Sequence, residues 1–162
     1  MLQTARLTVR RYRAEDRPFY MALRADADVL RFMHWHEPPD AFDANRLEAD
    51  LRRLPDQRGW VNLAVTDRAG GAMLGDLGVR QEGATAWIGL SLLPAARGRG
   101  LGRELAVGAV EWVRGAGARR FVVEVDEDNA PSLALFASLG FSAVGRDADD
   151  FGPYLILARD AR

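Results

Sequence analysis

Apolar and polar residues alternate with a period of two along several stretches of this chain, and such alternation predicts β-strands. The first stretch covers residues 5–12. Three more follow in close succession at residues 61–66, 73–80 and 85–93, separated by short turns rich in glycine and charged residues. Three consecutive strands on short turns predict an antiparallel meander.

A helical spacing of apolar residues predicts helices in four other stretches. They cover residues 18–25, 40–54, 101–115 and 129–139. The segment 29–39, between the first two, is predicted to be irregular. The third helix is polar only along a stripe formed by Glu104, Gly108 and Glu111, so we expect it to be largely buried.

Residues 121–125 are almost continuously apolar, which is typical of a central strand covered on both faces. Because a long helix separates this strand from the one at 85–93, the two should run parallel as a strand–helix–strand unit. Residues 141–146 and 154–158 predict two final strands. The pattern predicts one α/β domain over residues 1–162. Three tryptophans are expected in its core: Trp60, Trp87 and Trp112.

The composition narrows the chemistry that this chain can perform. None of the 162 residues is cysteine, which excludes disulfides, thiolate catalysis and cysteine–zinc sites. All 22 basic residues are arginine, which excludes a Schiff-base lysine and the lysine of a Walker loop. The net charge is −1 and the arginines are scattered, so we expect no nucleic-acid partner. Lacking a signal peptide and an apolar run of about 18 residues, the chain is expected in the cytoplasm, without a membrane partner.

A glycine-rich segment opens the third helix directly after a strand. It reads Arg97, Gly98, Arg99, Gly100, Leu101, Gly102, Arg103. A helix start offers unpaired N–H groups and a partial positive charge, and the arginines add charge with a geometry that matches phosphate. The segment therefore predicts a phosphate or diphosphate site, with a plain glycine-rich turn as the alternative. A dinucleotide fingerprint is a weaker match, because it requires a third glycine where Arg103 stands and a strand that leads straight into the glycines.

Two motifs resemble those of the GNAT N-acetyltransferase superfamily. The first, Arg97-x-x-Gly100-x-Gly102, looks like its acyl-coenzyme A loop. The second, Asn129-x-x-Ser132-x-x-Leu135-Phe136-x-x-x-Gly140-Phe141, is similar to its motif after the next strand. The opening residues 4–11 resemble the branch that includes ribosomal-protein N-terminal acetyltransferases. The resemblance covers essentially the whole chain.

The resemblance implies a fold, a reaction and a set of site residues. The fold is a mixed, mostly antiparallel twisted sheet with flanking helices and a splayed parallel central pair, whose gap holds the pantetheine arm of acetyl-coenzyme A (acetyl-CoA). The reaction is direct transfer of the acetyl group to a primary amine, on a protein N-terminus or a small molecule. Residues expected to bind the co-substrate are Leu92, Leu93, Arg97, Gly98, Arg99, Gly100, Leu101, Gly102, Arg103, Asn129, Ser132 and Phe136. No metal is expected, and a homodimer through the C-terminal strands is common among relatives.

For the groups that donate and accept protons during acetyl transfer, the sequence offers more than one candidate. Many relatives have a tyrosine acid where this chain has Phe136, so Ser132, one turn earlier, is the candidate that contacts the sulfur, and Tyr154 is a second. Asp76 is the candidate base, with a structural pairing to an arginine as its alternative. A backbone N–H near Leu92 is the candidate donor to the carbonyl oxygen as it gains charge. The phenylalanine also favours an alternative function, a non-catalytic acyl-CoA-binding module.

A cluster of polar and aromatic residues precedes the second predicted helix. It comprises His34, Trp35, His36 and Glu37. Two histidines and a glutamate can ligate zinc, but the segment lacks further ligands. Since relatives line the acceptor cleft with the helix that follows, these residues are predicted to contact the acceptor, and packing of Trp35 against that helix is the alternative.

Overall fold

The computed structural model describes residues 2–33 and 59–161. The strands in these ranges are β1 (Leu2–Gln3), β2 (Leu7–Arg11), β3 (Val61–Asp67), β4 (Met73–Glu82), β5 (Thr85–Leu92), β6 (Arg120–Asp126), β7 (Ser142–Asp149) and β8 (Gly152–Asp160). The helices are α1 (Arg17–Ala25), α2 (Ala27–Leu30), α3 (Leu101–Gly115) and α4 (Ala130–Ser138). The described strands form one sheet in the order β1-β2-β3-β4-β5-β6-β8-β7.

The sheet is antiparallel except between β5 and β6. The predicted meander of β3, β4 and β5 is confirmed, and β4 and β5 pair along eight positions. The predicted parallel arrangement of β5 and β6 is also confirmed. The mixed α/β fold that the sequence predicts is therefore correct.

The strands β5 and β6 are neighbours only at their first residues. They pair at Thr85–Arg120, Ala86–Phe121 and Trp87–Val122, and no further pair joins them among the described residues. Beyond Trp87, β5 remains paired with β4 up to Leu92, and β6 remains paired with β8. The two strands therefore separate into a gap, here called the wedge, whose apex lies at Trp87 and Val122.

The two faces of the sheet are covered by different helices. On one face, α3 and α4 pack on the main core, and the buried helix side chains include Leu105, Ala109 and Phe136. On the other face, here called the α1 face, Tyr20 of α1 packs with Tyr12 and Ala64 in a second cluster. The helix α3 was predicted to be largely buried, but only six of its 15 residues are buried and Val107 is 40% exposed, so burial is limited to the side that faces the sheet.

Several predictions need correction. Trp60 was predicted in the core, but it is 39% exposed. Its ring lies over Gly78 and Gly89, where the sheet is flat because it has no side chains. The two-residue strand β1 was not predicted. The short helix α2, whose N-terminus is capped by Asp26, extends into the segment 29–39 that was predicted to be irregular. The helix predicted at 40–54 lies outside the described residues. None of the helices in the described ranges is long and apolar enough to span a membrane.

Candidate active site

At the end of β5, the edge that borders the wedge has a backbone N–H without an acceptor among the described residues. Leu93 donates its N–H to Leu74 of β4 and accepts from Ala96, so both of its backbone groups are used within the fold. Backbone groups of successive strand residues point to opposite edges, so those of Leu92 face the wedge. Arg97 Nε donates to the Leu92 carbonyl at 2.9 Å. Leu92, rather than Leu93, is therefore the residue whose N–H can pair with a molecule in the wedge.

The segment 97–103, here called the glycine loop, follows β5 and leads into α3. Gly98 and Gly100 have φ angles of 71° and 75°, a region that residues with a side chain rarely adopt. Within the described part of the chain, no oxygen accepts a hydrogen bond from the backbone N–H groups of residues 98–103. Together with the positive end of the α3 dipole, these donors form a site that fits a diphosphate. The arginine side chains of the loop are exposed beside it.

The N-terminal segment, residues 2–6, forms hydrogen bonds to the glycine loop and to the first turn of α3 through Thr4 and Arg6. The carboxylate of Glu104, in the first turn of α3, accepts from Thr4 Oγ at 2.5 Å, from the Arg6 backbone N–H at 2.7 Å and from Arg6 Nε at 2.7 Å. Arg6 also donates through Nη1 to the Arg99 carbonyl at 2.8 Å. A guanidinium has no acceptor, so Arg6 adds positive charge and leaves the loop's N–H groups available.

The hydrogen bond from Thr4, followed by those from Arg6, lowers the pKa of Glu104 below its ordinary value, although partial burial opposes the shift. Glu104 is therefore ionised when it binds Arg6 near neutral pH. From the sequence, Glu104 belongs only to the polar stripe of the helix, and Arg6 has no specific predicted role. No local signal joins them, because they are 98 residues apart in sequence.

The second motif forms the start of α4. The Asn129 side chain accepts from the Ser132 N–H at 3.2 Å, so Asn129 caps the helix. Phe136 is 3% exposed and packs edge to face on Phe141, with ring centroids 5.2 Å apart. Leu135 of the same helix lies 3.8 Å from the position a Cβ on Gly102 would take, so α4 approaches the start of α3. The Phe136 ring has no proton to give.

Asp76 lies on the α1 face of β4, directly across from Ser91 of β5. It is 2% exposed and accepts a hydrogen bond of 2.7 Å from the Tyr12 hydroxyl. Burial, followed by the charge of Asp76, raises the pKa of Tyr12 well above its ordinary value, so the phenol remains a donor. Ser91 is also buried, and its Oγ has no hydrogen-bond partner among the described residues. Ser91 separates Asp76 from the wedge.

The other side of the wedge carries acidic residues on the α1 face. Glu124 lies two residues after Val122, on the same face of β6, and is exposed. Tyr154 of β8 pairs with Asp126 in the sheet register. Burial, followed by the charges of Asp147 and Glu124, raises the pKa of Tyr154. Tyr154 is therefore protonated near neutral pH.

The acceptor cluster predicted from the sequence, His34, Trp35, His36 and Glu37, lies outside the described residues. In the part of the chain that the structure describes, no group of three or more histidine, cysteine, aspartate or glutamate side chains is arranged to hold a metal ion.

The sequence of this chain is similar to those of known acetyltransferases. The family model described as "Acetyltransferase (GNAT) domain" matches residues 6–142. Mycothiol acetyltransferase from Amycolatopsis mediterranei is 30% identical over 129 residues, which are 69% of this chain and 40% of that protein. N-alpha-acetyltransferase RimI from Mycobacterium tuberculosis is 36% identical over 91 residues, 52% of this chain and 54% of RimI. The chain thus spans about two fifths of the mycothiol acetyltransferase and about half of RimI.

A solved structure has the same fold. Spermidine N-acetyltransferase from Vibrio cholerae, in complex with CoA and spermine, superposes with a TM-score of 0.78 and 17% identity, over 95% of each chain. At this identity the similarity concerns the fold.

Proposed function

This chain belongs to the GNAT acetyltransferase family, and from that premise we propose that it transfers the acetyl group of acetyl-CoA directly to a primary amine in a ternary complex. The N–C bond forms as the C–S bond breaks; the amine loses a proton and the coenzyme A thiolate gains one. The wedge supports this proposal, because β5 leaves its Leu92 backbone unpaired with β6. After a short 3-10 turn at Pro94–Ala96, β5 is followed by a loop whose N–H groups from residue 98 to 103 have no acceptor among the described residues.

We assign the co-substrate to the wedge and the glycine loop. The N–H groups of residues 98–103, with the charges of Arg6, Arg97, Arg99 and Arg103, would bind the pyrophosphate. The pantetheine arm would pair with the Leu92 edge of β5, and Arg97 would then exchange its bond to the Leu92 carbonyl for one to the ligand. Asn129, Ser132 and Phe136 would line the pantetheine region from α4.

We propose that Leu92 N–H stabilises the oxyanion and that Asp76 accepts the amine proton through Ser91 or a water beside it. Support comes from the register, which aligns Asp76 with Ser91, and from the buried Ser91 Oγ that lacks a partner. Asp76→Asn should lower kcat roughly 100-fold or more and remove the acidic limb of its pH profile. Tyr12→Phe, which removes only the hydrogen bond to Asp76, should keep that limb. An unchanged limb in Asp76→Asn would limit Asp76 to a structural role.

Titration calorimetry with acetyl-CoA tests the co-substrate site. Gly100→Glu should abolish binding, because it adds a repelling carboxylate at a position whose φ of 75° also disfavours a side chain. Gly83→Glu is the matched control, since Gly83 has a φ of 57° and open space around it, in the turn between β4 and β5 at the other end of β5 from the loop. Absence of binding to the unchanged chain at high micromolar acetyl-CoA would end the proposal.

The second candidate function is a non-catalytic acyl-CoA-binding module, which the buried Phe136 favours because it cannot protonate a thiolate. Thiolates leave readily near neutral pH, so a missing acid does not prevent turnover. Release of coenzyme A across a panel of amines distinguishes the two: binding without turnover of any amine favours the module.

The protein is also proposed to work in the cytoplasm as a homodimer. The outer strand β7 supports pairing with a second copy, because it is exposed along its whole length and carries Val144 at 54% exposure. Sedimentation analysis would show whether the chain is a dimer.

A further inference from the structure

A row of β4 and β5 residues on the α1 face leads from Asp76 to an arginine. Three pairs of residues that are neighbours in the sheet form this row: Asp76–Ser91, Gly78–Gly89 and Arg80–Trp87. The middle pair has no side chains, and the Trp60 ring covers it: a Cβ added to Gly78 would lie 3.3 Å from this ring, and one added to Gly89 3.9 Å. Trp60 is 39% exposed, so a molecule that follows the row can contact the outer face of its ring.

The guanidinium of Arg80, at the far end of the row, lies close to two indole rings. Its Cζ is 4.3 Å from the ring centroid of Trp87 and 5.6 Å from that of Trp60. Its Nε is buried without a hydrogen-bond partner among the described residues, and a Glu82 carboxylate oxygen is 3.7 Å away, beyond hydrogen-bond distance. The Glu82 side chain is 55% exposed, so this ion pair is weak. The Arg80 side chain is 30% exposed, and part of it is therefore accessible to a carboxylate from outside the chain.

The length of the row excludes a small amino acid and matches an extended peptide. Asp76 and Arg80 are four residues apart on β4, which is about 13 Å at ~3.3 Å per residue. The amine and the carboxylate of a free amino acid are bonded to the same carbon, so they cannot span this distance. An extended peptide advances by ~3.3–3.6 Å per residue, so a peptide with its N-terminal amine at the Asp76 end places its fourth or fifth residue beside Arg80. The position of the amine rests on the proposed function.

We propose that the acceptor is the N-terminus of a peptide chain whose fourth or fifth residue is acidic, and that Arg80 binds the carboxylate of this residue. A guanidinium matches the two oxygens of a carboxylate with two parallel hydrogen bonds, and packing against indole rings restricts its orientation. The second and third residues of the peptide cross the exposed face of the Trp60 ring. A polyamine of the same length carries an ammonium group where Arg80 requires an anion, so it is repelled.

The experiment moves one glutamate along a short peptide of alanine, serine and glycine with an amidated C-terminus. Coenzyme A release is measured at saturating acetyl-CoA with glutamate at each position from the second to the seventh, and with glutamine at the same position as the matched peptide. Each set is made with several N-terminal residues, because the preference for the first residue is a separate property. Glutamate as the fourth or fifth residue should raise kcat/KM roughly 5- to 20-fold over glutamine, mainly through KM. Glutamate as the second or seventh residue should have no such effect.

Variants of Arg80 test whether this side chain binds the acidic residue. Arg80→Gln should remove the preference that depends on position. Arg80→Glu should reverse it, so that lysine as the fourth or fifth residue is preferred over glutamate. Arg114→Gln is the matched control and should retain the preference, because Arg114 pairs with Glu111 on the exposed side of α3. Titration of each variant with acetyl-CoA checks that it folds and binds the co-substrate.

A preference for glutamate that is lost in Arg80→Gln and reversed in Arg80→Glu supports the inference. Equal use of the glutamate and glutamine peptides overturns it, as does a preference that is independent of position or survives in Arg80→Gln. Turnover of free amino acids or polyamines without turnover of any peptide also overturns it and leaves the proposed function in place. Absence of acetyl-CoA binding, or of coenzyme A release with any amine, instead overturns the proposed function, so the two failures are distinguishable.

Discussion

Replacing Glu104 by glutamine tests whether the N-terminal segment holds the glycine loop. The substitution removes the charge that accepts three hydrogen bonds from Thr4 and Arg6. A hydrogen bond to a charged group contributes about 1.5–3 kcal/mol when it is protected, but the Arg6 side chain is 50% exposed and solvent screens it. We therefore expect a loss of about 1–2 kcal/mol in the free energy of unfolding, and a fall in Tm of roughly 5 °C.

The same variant should bind acetyl-CoA roughly 5- to 10-fold more weakly, because the Arg99 carbonyl and the Arg6 charge lose their fixed positions. Urea denaturation gives the stability and calorimetry the affinity; Glu111→Gln, on the exposed side of α3, is the control. Since the pKa of Glu104 is lowered in the fold, its stabilisation is complete above the ordinary pKa and is lost as the pH falls through the lowered value. The variant and the unchanged chain should thus converge in acid. A stability loss with unchanged affinity would refute the argument.

Two further predictions concern Gly108 of α3, which contacts the N-terminal segment, and Asp16, which directly precedes α1. Gly108→Val should lower both stability and acetyl-CoA affinity, because a Cβ there would lie 2.9 Å from Thr4 Cγ2 and would displace the N-terminal segment; denaturation and calorimetry measure both effects. Asp16→Asn should cost about 3 kcal/mol, because the buried carboxylate binds Arg10 through two bonds, at 2.5 and 2.9 Å. Burial raises the pKa of Asp16, but the bonds from Arg10 and the Arg13 N–H outweigh it and lower the pKa. This stabilisation should therefore disappear as the pH falls below about 4, in urea titrations across pH.

Features that depend on neighbouring residues were predictable from the sequence. The period-two alternation identifies β3, β4 and β5, and the apolar run identifies the buried β6. The contiguous glycines and arginines of the glycine loop predict an anion site, which stays a prediction, while the positive φ angles of Gly98 and Gly100 agree with the choice of glycine. Even the parallel pairing of β5 and β6 follows from the helix that joins them.

Features that depend on distant partners were not predictable in the same way. The Tyr12–Asp76 hydrogen bond joins residues 64 positions apart, and a tyrosine in a strand pattern carries no sign of its partner. Trp60 was expected in the core because tryptophan is apolar, but the surface beneath it is made by two glycines on other strands. Only the tertiary arrangement shows that such a ring is partly exposed.

The wedge also bears on how this sheet avoids unwanted association. A row of unpaired backbone groups at the outside of a sheet is a template for pairing with other chains. Here the unpaired row of β5 lies inside the sheet, with β4 behind it and β6 opposite, so a foreign strand would have to enter between two existing ones. An edge in this position is open to a small molecule but is shielded from the aggregation that an outer edge invites.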